Sequence, residues 1–249
     1  MATVANRPVE LQAAERRFYS WMAIALIALV FIGFAPSFYL RGIVPQYPRP
    51  NPTLNLSVLL HGGLFTLWML AFVVQTQLVA AGRRDVHMKL GAASLLLALA
   101  IIPMMYLVAV WQVARANQPP FTTPLNWTVI PLAVIPVYAF LLWQGWSHRR
   151  EAQWHKRLML SAAIVVVMGP VFGRLPIAPP TLAGFSLQHS LGLVLFVPLF
   201  LWDRRSQGRV HPATWLGFSL AVAMLAVSTA VLATGAWEPI ARHLPGVGN

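Results

Sequence analysis

From Trp21 to Leu40 the chain runs for twenty residues without a charged side chain, and similar stretches recur along its length. An apolar run of about 18 residues or more is long enough to cross the roughly 30 Å of bilayer hydrocarbon at 1.5 Å per residue. Inside lipid no water meets the backbone N–H and C=O groups, so each run must satisfy them internally as a helix. Spans are expected at about 21–40, 54–81, 86–111, 125–146, 154–173, 185–202 and 213–236. The fold class is therefore all-α, a polytopic membrane protein with seven transmembrane helices. It reads as one domain over 1–249, with a polar segment at 1–20 and a tail at 237–249. The composition agrees: 58% of residues are hydrophobic and only 10% charged, where a soluble domain carries roughly 25%. The first run is too long for the apolar core of a cleaved signal and reads as a retained span.

Charge sets the orientation. Arg7, Arg16, Arg17, Arg83, Arg84, Lys89, Arg149, Arg150, Lys156, Arg157, Arg204, Arg205 and Arg209 fall on the N-terminal side; Arg41, Arg49, Arg115, Arg174 and Arg242 fall on the other. Thirteen against five predicts a cytoplasmic N-terminus and an external C-terminus, as in a bacterial inner membrane. The net charge of +12 thus belongs to topology and anionic lipid rather than to nucleic acid. The opposite loops, "VPQYPRPNP", "NQPPFTTP" and "LPIAPP", are proline-rich and read as stiff caps. Prolines within spans (Pro103, Pro131, Pro136, Pro170 and Pro198) are expected to kink helices.

Three turns on the basic side share a pattern: "RRDVH", "RREAQWH" and "RRSQGRVH" each place a histidine after an Arg-Arg pair. A repeated hairpin and independent selection for positive charge explain this equally well. The histidines fall into two layers, roughly 20–30 Å apart at 1.5 Å per residue. His61 and His189 form an outer pair; His87, His155, Asp203 and His211 form an inner group, with His148 and Asp85 nearby. Ser57, His61, Trp68 and Gln75 share one stripe of the second span, and His189, Gly192, Phe196 and Asp203 one stripe of the sixth. Polar side chains at membrane depth normally face a bundle interior.

Three chemistries use such an arrangement. Neutral imidazoles from facing helices hold a haem iron; histidine and aspartate hold zinc or non-haem iron; or histidines and arginines hold an anion such as lipid phosphate. In the haem b reading, His61 and His189 are outer ligands and His87 and His155 inner ones. Asp203 and His211 support them, and Arg174 or Arg115 outside and Arg84 or Arg157 inside pair with propionates. The chain has no cysteine, which excludes thiolate sites. A retinal protein would need a lysine in the last span, seven-span zinc hydrolases a His-x-x-x-His there, and desaturases clustered histidine boxes; none occurs.

The segments "LHGGLFTLWMLAFVVQTQLVAAGRRDVHMKLG", "HKRLML" and "DRRSQGRVHPATWLG" resemble a family of uncharacterised bacterial multi-span membrane proteins. That family combines Leu-His-Gly, His-x-(Lys/Arg)-Leu-Gly, His-Lys-Arg-Leu-Met and a late His-Pro. "HKRLM" alone is similar to histidine-bearing proteins of cytochrome oxidase assembly, and the two histidine layers resemble di-haem b-type membrane proteins. These resemblances imply a haem- or metal-binding inner-membrane protein of electron transfer or of oxidase and haem biogenesis, with lipid, quinone or respiratory-chain partners. The competing expectations are a metal-dependent enzyme acting on lipid and a non-catalytic assembly or lipid-binding subunit.

Overall fold

The computed structural model of the protein describes residues 9–45, 51–175 and 177–247; Arg7, Arg49 and the middle of the first proline-rich loop lie outside the described residues. Seven helices are long and apolar enough to cross a membrane. The first, α1 (Val9–Phe34), begins twelve residues before the expected span. Its polar start is helical because Glu15, Phe18, Tyr19 and Met22, at i, i+3, i+4 and i+7, share a face that packs on the bundle. Glu15 reaches Lys156 at 2.5 Å, Phe18 stacks on Trp202 at 4.9 Å, and Tyr19 and Met22 are buried. The helix widens to a π turn at Ala35–Tyr39, where the Leu40 N–H donates to the Ala35 carbonyl.

After α1 come α2 (Leu56–Ala80), α3 (Arg84–Trp111), the short α4 (Pro124–Trp127), α5 (Val129–Ser147) and α6 (Ala152–Phe172). The sixth span is divided into α7 (Leu182–Leu191), a 3₁₀ segment (Gly192–Phe196) and α8 (Val197–Gln207). Helix α9 (Pro212–Thr234) and the short α10 (Glu238–Ala241) complete the chain. The division of the sixth span has a local cause. Pro198 has no N–H to give the Val194 carbonyl, and the 3₁₀ turn precedes it directly. Pro103, Pro136 and Pro170 sit inside helices that continue through them.

Helix α6 is the centre of the bundle: 67% of its apolar window is buried, against at most 39% in any other span. Its neighbours approach through glycine. A Cβ on Gly33 of α1 would meet the Val171 backbone at 3.2 Å, one on Gly145 of α5 the Met159 sulfur at 2.8 Å, and one on Gly192 the Met168 Cβ at 2.7 Å. On α9, a Cβ at Gly217 would collide with Ser161. In lipid no hydrophobic drive holds helices together, so close van der Waals contact through small residues takes that role.

Helices α1, α2, α3, α5 and α6 each pack on the next, and α6 closes back on α1. The five form a ring. Contacts between helices that are not ring neighbours therefore run through its interior.

Candidate functional site

The face of the bundle on which α1 begins is organised by three consecutive residues at the start of α6. His155 Nδ1 donates to the Gly145 carbonyl of α5 at 2.7 Å, Lys156 pairs with Glu15 of α1, and Arg157 reaches Asp203 of α8. A helix turns 100° per residue, so adjacent side chains point to different neighbours. "HKR" thus ties the central helix to three others.

The third tie is buried completely. Arg157 Nε and one terminal nitrogen donate to Asp203 Oδ1 at 2.8 and 2.5 Å, and the other terminal nitrogen donates to Gln153. Asp203 Oδ2 accepts from the His211 N–H at 3.0 Å and the Thr214 hydroxyl at 2.6 Å. A carboxylate offers about four acceptor positions, and all four are filled by the protein. Arg157 and Asp203, expected to serve an anion and a ligand respectively, instead bind each other, both fully buried.

His211 also has a local task. Gly208, at φ 72°, ends α8 in the left-handed conformation, and three residues later His211 Nδ1 accepts the Ala213 N–H as N-cap of α9. Its imidazole meets Trp154 edge-on at 5.3 Å. Burial, and then the Arg157 charge, push its pKa from 6.5 down to about 4, while Asp203 opposes them. The folded state resists a proton that the unfolded chain accepts, so stability holds above pH 6.5 and falls as pH drops toward about 4. His211→Asn keeps a capping group and should flatten this part of the pH–melting curve in detergent; an unchanged slope would contradict the assignment.

His87 and His155 meet across the ring. Their centres are 6.3 Å apart and their planes nearly perpendicular, at 79°. His155 donates through Nδ1, so its Nε2 carries the lone pair. His87 Nδ1 faces the amide of Gln75 on α2, itself buried. Arg84 lies exposed three residues before His87, and its charge reaches that ring. Asp85 stays at the surface beside Arg83, 3.8 Å away.

The opposite end of the ring is arranged differently. His61 stacks loosely on Phe65 at 6.2 Å, and its Nδ1 is buried without a hydrogen-bond partner among the described residues. Arg174, at the end of α6, donates to the Pro170 carbonyl at 2.6 Å and covers the Phe34 ring at 4.0 Å. His189 donates from Nδ1 to the Phe185 carbonyl at 3.0 Å and lies against Gly169 of α6 and Gly173, which caps it. The Arg174 charge reaches both imidazoles. Helix α2, which carries His61, packs chiefly on α1 and α3, and α7, which carries His189, on α6, α9 and the 3₁₀ segment. Arg115 is turned to the loop, donating to the Asn51 carbonyl at 3.1 Å and to that of Thr53.

Between the two ends, Trp68 of α2 meets Tyr138 of α5 edge-on at 5.5 Å, again across the ring. Tyr138 is 0% exposed and its hydroxyl has no hydrogen-bond partner among the described residues. An unmade buried hydrogen bond costs about 1–3 kcal/mol. Tyr138→Phe should therefore leave the melting temperature unchanged or raise it; a marked fall would show that the hydroxyl has a partner in the membrane.

Fold and polar layers together define a seven-helix, multi-pass membrane protein. Comparison with protein-family models, with curated proteins and with solved structures found no match to the chain. Among the described residues, no three His, Asp or Glu side chains converge as a metal-holding group. Gln75 was visible in sequence only as a member of the His61 stripe. Glu15, Gly145, Gln153 and Thr214 carried no signal, because their roles depend on which helices become neighbours.

Proposed function

We propose that the chain is a bacterial inner-membrane protein, N-terminus cytoplasmic, whose His87 and His155 hold a haem iron for electron transfer or for oxidase and haem biogenesis. The observation that carries the reading is the His87–His155 pair. A metal-bound imidazole nitrogen lies about 2.0–2.1 Å from the ion, which puts two rings on one ion about 6 Å apart. The two centres are 6.3 Å apart. Two histidines from facing helices would be able to hold a haem iron. Zinc needs at least three protein ligands, and a third is missing among the described residues.

A haem bound here would supply one-electron redox chemistry. The chain's own contribution is orientation. The Gly145 carbonyl fixes the His155 ring and its tautomer. Arg84, exposed beside His87, is placed to meet a propionate, whereas Arg157 is engaged by Asp203. His61 and His189 are not part of this pair. The Lys/Arg asymmetry supports the orientation.

A second reading is favoured by Gln75. With its amide nitrogen on His87 Nδ1, that ring carries its proton on Nε2 and the pair offers one donor and one acceptor. A quinone or quinol head matches such a pair. Reduced-minus-oxidised spectra of the purified protein separate the readings. A Soret band present in the parent, lost in His87→Ala and His155→Ala and kept in His61→Ala and His189→Ala, is the expected result. A colourless parent whose lipid extract contains stoichiometric quinone would replace the first reading by the second.

A further inference from the structure

We propose that the end of the ring opposite His87 and His155 holds a phosphate oxyanion between the Arg174 guanidinium and His61 Nδ1. This site is independent of the iron reading. Three elements build it. Helix α1 ends in the π turn Ala35–Tyr39, which widens the helix locally. Phe38 of that turn lies so close to α2 that a Cβ on Gly62 would collide with its ring, and the Tyr39 hydroxyl bonds to that of Thr66 at 2.7 Å. The end of α1 is thus fixed on the second turn of α2 and the next, where His61 sits. From the end of α6, Arg174 turns back over Phe34 of α1 at 4.0 Å and donates to the Pro170 carbonyl at 2.6 Å. Its charge reaches the His61 ring.

The polar atom that asks for a ligand is His61 Nδ1, buried with no hydrogen-bond partner among the described residues. No lipid chain can replace that partner, and an unmade buried hydrogen bond is costly. Below His61 the stripe continues in aromatic rings, Phe65 at 6.2 Å and Trp68 a further 6.0 Å on, so the partner comes from the surface side. His61 lies five residues into α2, about 8 Å from its start at 1.5 Å per residue, within reach of lipid headgroups. Charge selects the sign of the ligand. Among the described residues this end carries Arg41, Arg115, Arg174 and Arg242 against the one carboxylate side chain of Glu238, so it attracts anions. A guanidinium and an imidazole N–H together suit phosphate oxygens, the oxyanions present at a membrane surface. His189, which the Arg174 charge also reaches, is no donor to the same anion when neutral, because its Nδ1 proton goes to the Phe185 carbonyl.

Titration of the full-length protein in a neutral, phosphate-free detergent tests this, with saturation read from the melting temperature. The probes are phosphatidylglycerol, phosphatidylcholine, whose choline offsets the phosphate charge, and inorganic phosphate. Phosphatidylglycerol should bind about tenfold more tightly than phosphatidylcholine, the difference expected for a charge-assisted contact. Arg174→Gln should weaken that binding about tenfold and His61→Phe about threefold, whereas Arg242→Gln, at the same end but outside the site, should leave it unchanged. Inorganic phosphate binding as tightly as the lipid would make the ligand a free anion; a response to the lipid alone would make it a headgroup. Equal affinity for the two lipids, the same affinity in Arg174→Gln and the parent, or binding of neither phosphatidylglycerol nor phosphate would overturn the proposal. A variant that does not fold leaves the parent to decide. In the histidine-nitrogen-15 parent saturated with the phosphate that binds, one imidazole nitrogen should show dipolar coupling to phosphorus, and absence of any such coupling would equally overturn the site.

Discussion

Asp203→Ala should destabilise the protein by about 3–5 kcal/mol, the range found when one partner of a buried ion pair is removed. The loss comes less from the missing attraction than from the group left behind. Arg157 is completely buried, and without Asp203 its Nε and one terminal nitrogen face no acceptor. The His211 N–H and the Thr214 hydroxyl lose their acceptor in the same step. Arg157→Met combined with Asp203→Leu removes both charges and should recover much of the loss. Unfolding in detergent followed by circular dichroism measures both. Equal destabilisation by the single and the double variant would mean that the pair matters through shape and not through charge.

Gly217→Val attacks the bundle at its tightest crossing. The added Cβ would overlap Ser161 of the central helix, and overpacking of this kind costs about 1–3 kcal/mol, sometimes more. Ser161 is fully buried and cannot swing into lipid. The decisive comparison is the double variant with Ser161→Gly, which reopens the space and should restore a large part of the melting temperature. Failure of that rescue would place the cost elsewhere on α9.

Much of this architecture is legible in the sequence, for one reason: lipid forces each long apolar run into a helix. The seven spans follow from that alone. What hydropathy cannot see is where charged residues remain helical. The start of α1 carries Glu10, Glu15, Arg16 and Arg17, and its order is explained by tertiary partners such as Lys156 and Trp202 on neighbouring helices. The 3₁₀ segment before Pro198 is likewise a local exception inside an unbroken apolar run.

The grouping of His87 with His155 is legible in the sequence, but the geometry of their contact is not. His87 and His155 stood out as membrane histidines, and their meeting across the ring follows from the packing order of five helices. His61 and His189 share a depth in the sequence, and the packing order gives their helices different chief neighbours. Asp203 is a candidate ligand in the sequence because it shares the inner layer with the histidines and a stripe with His189; whether its oxygens are available depends on Arg157, Thr214 and the His211 backbone. Periodicity gives the face of a helix, and only tertiary contact gives the partner.

The proposed sharing of one iron by His87 and His155 is tested most directly by the electron paramagnetic resonance spectrum of the oxidised protein. Imidazole planes at 79° would leave two iron d orbitals nearly equal in energy. A low-spin signal with one strongly shifted low-field feature, absent in His155→Ala, is the predicted result. A high-spin signal, or a low-spin signal that persists in both His87→Ala and His155→Ala, would contradict it.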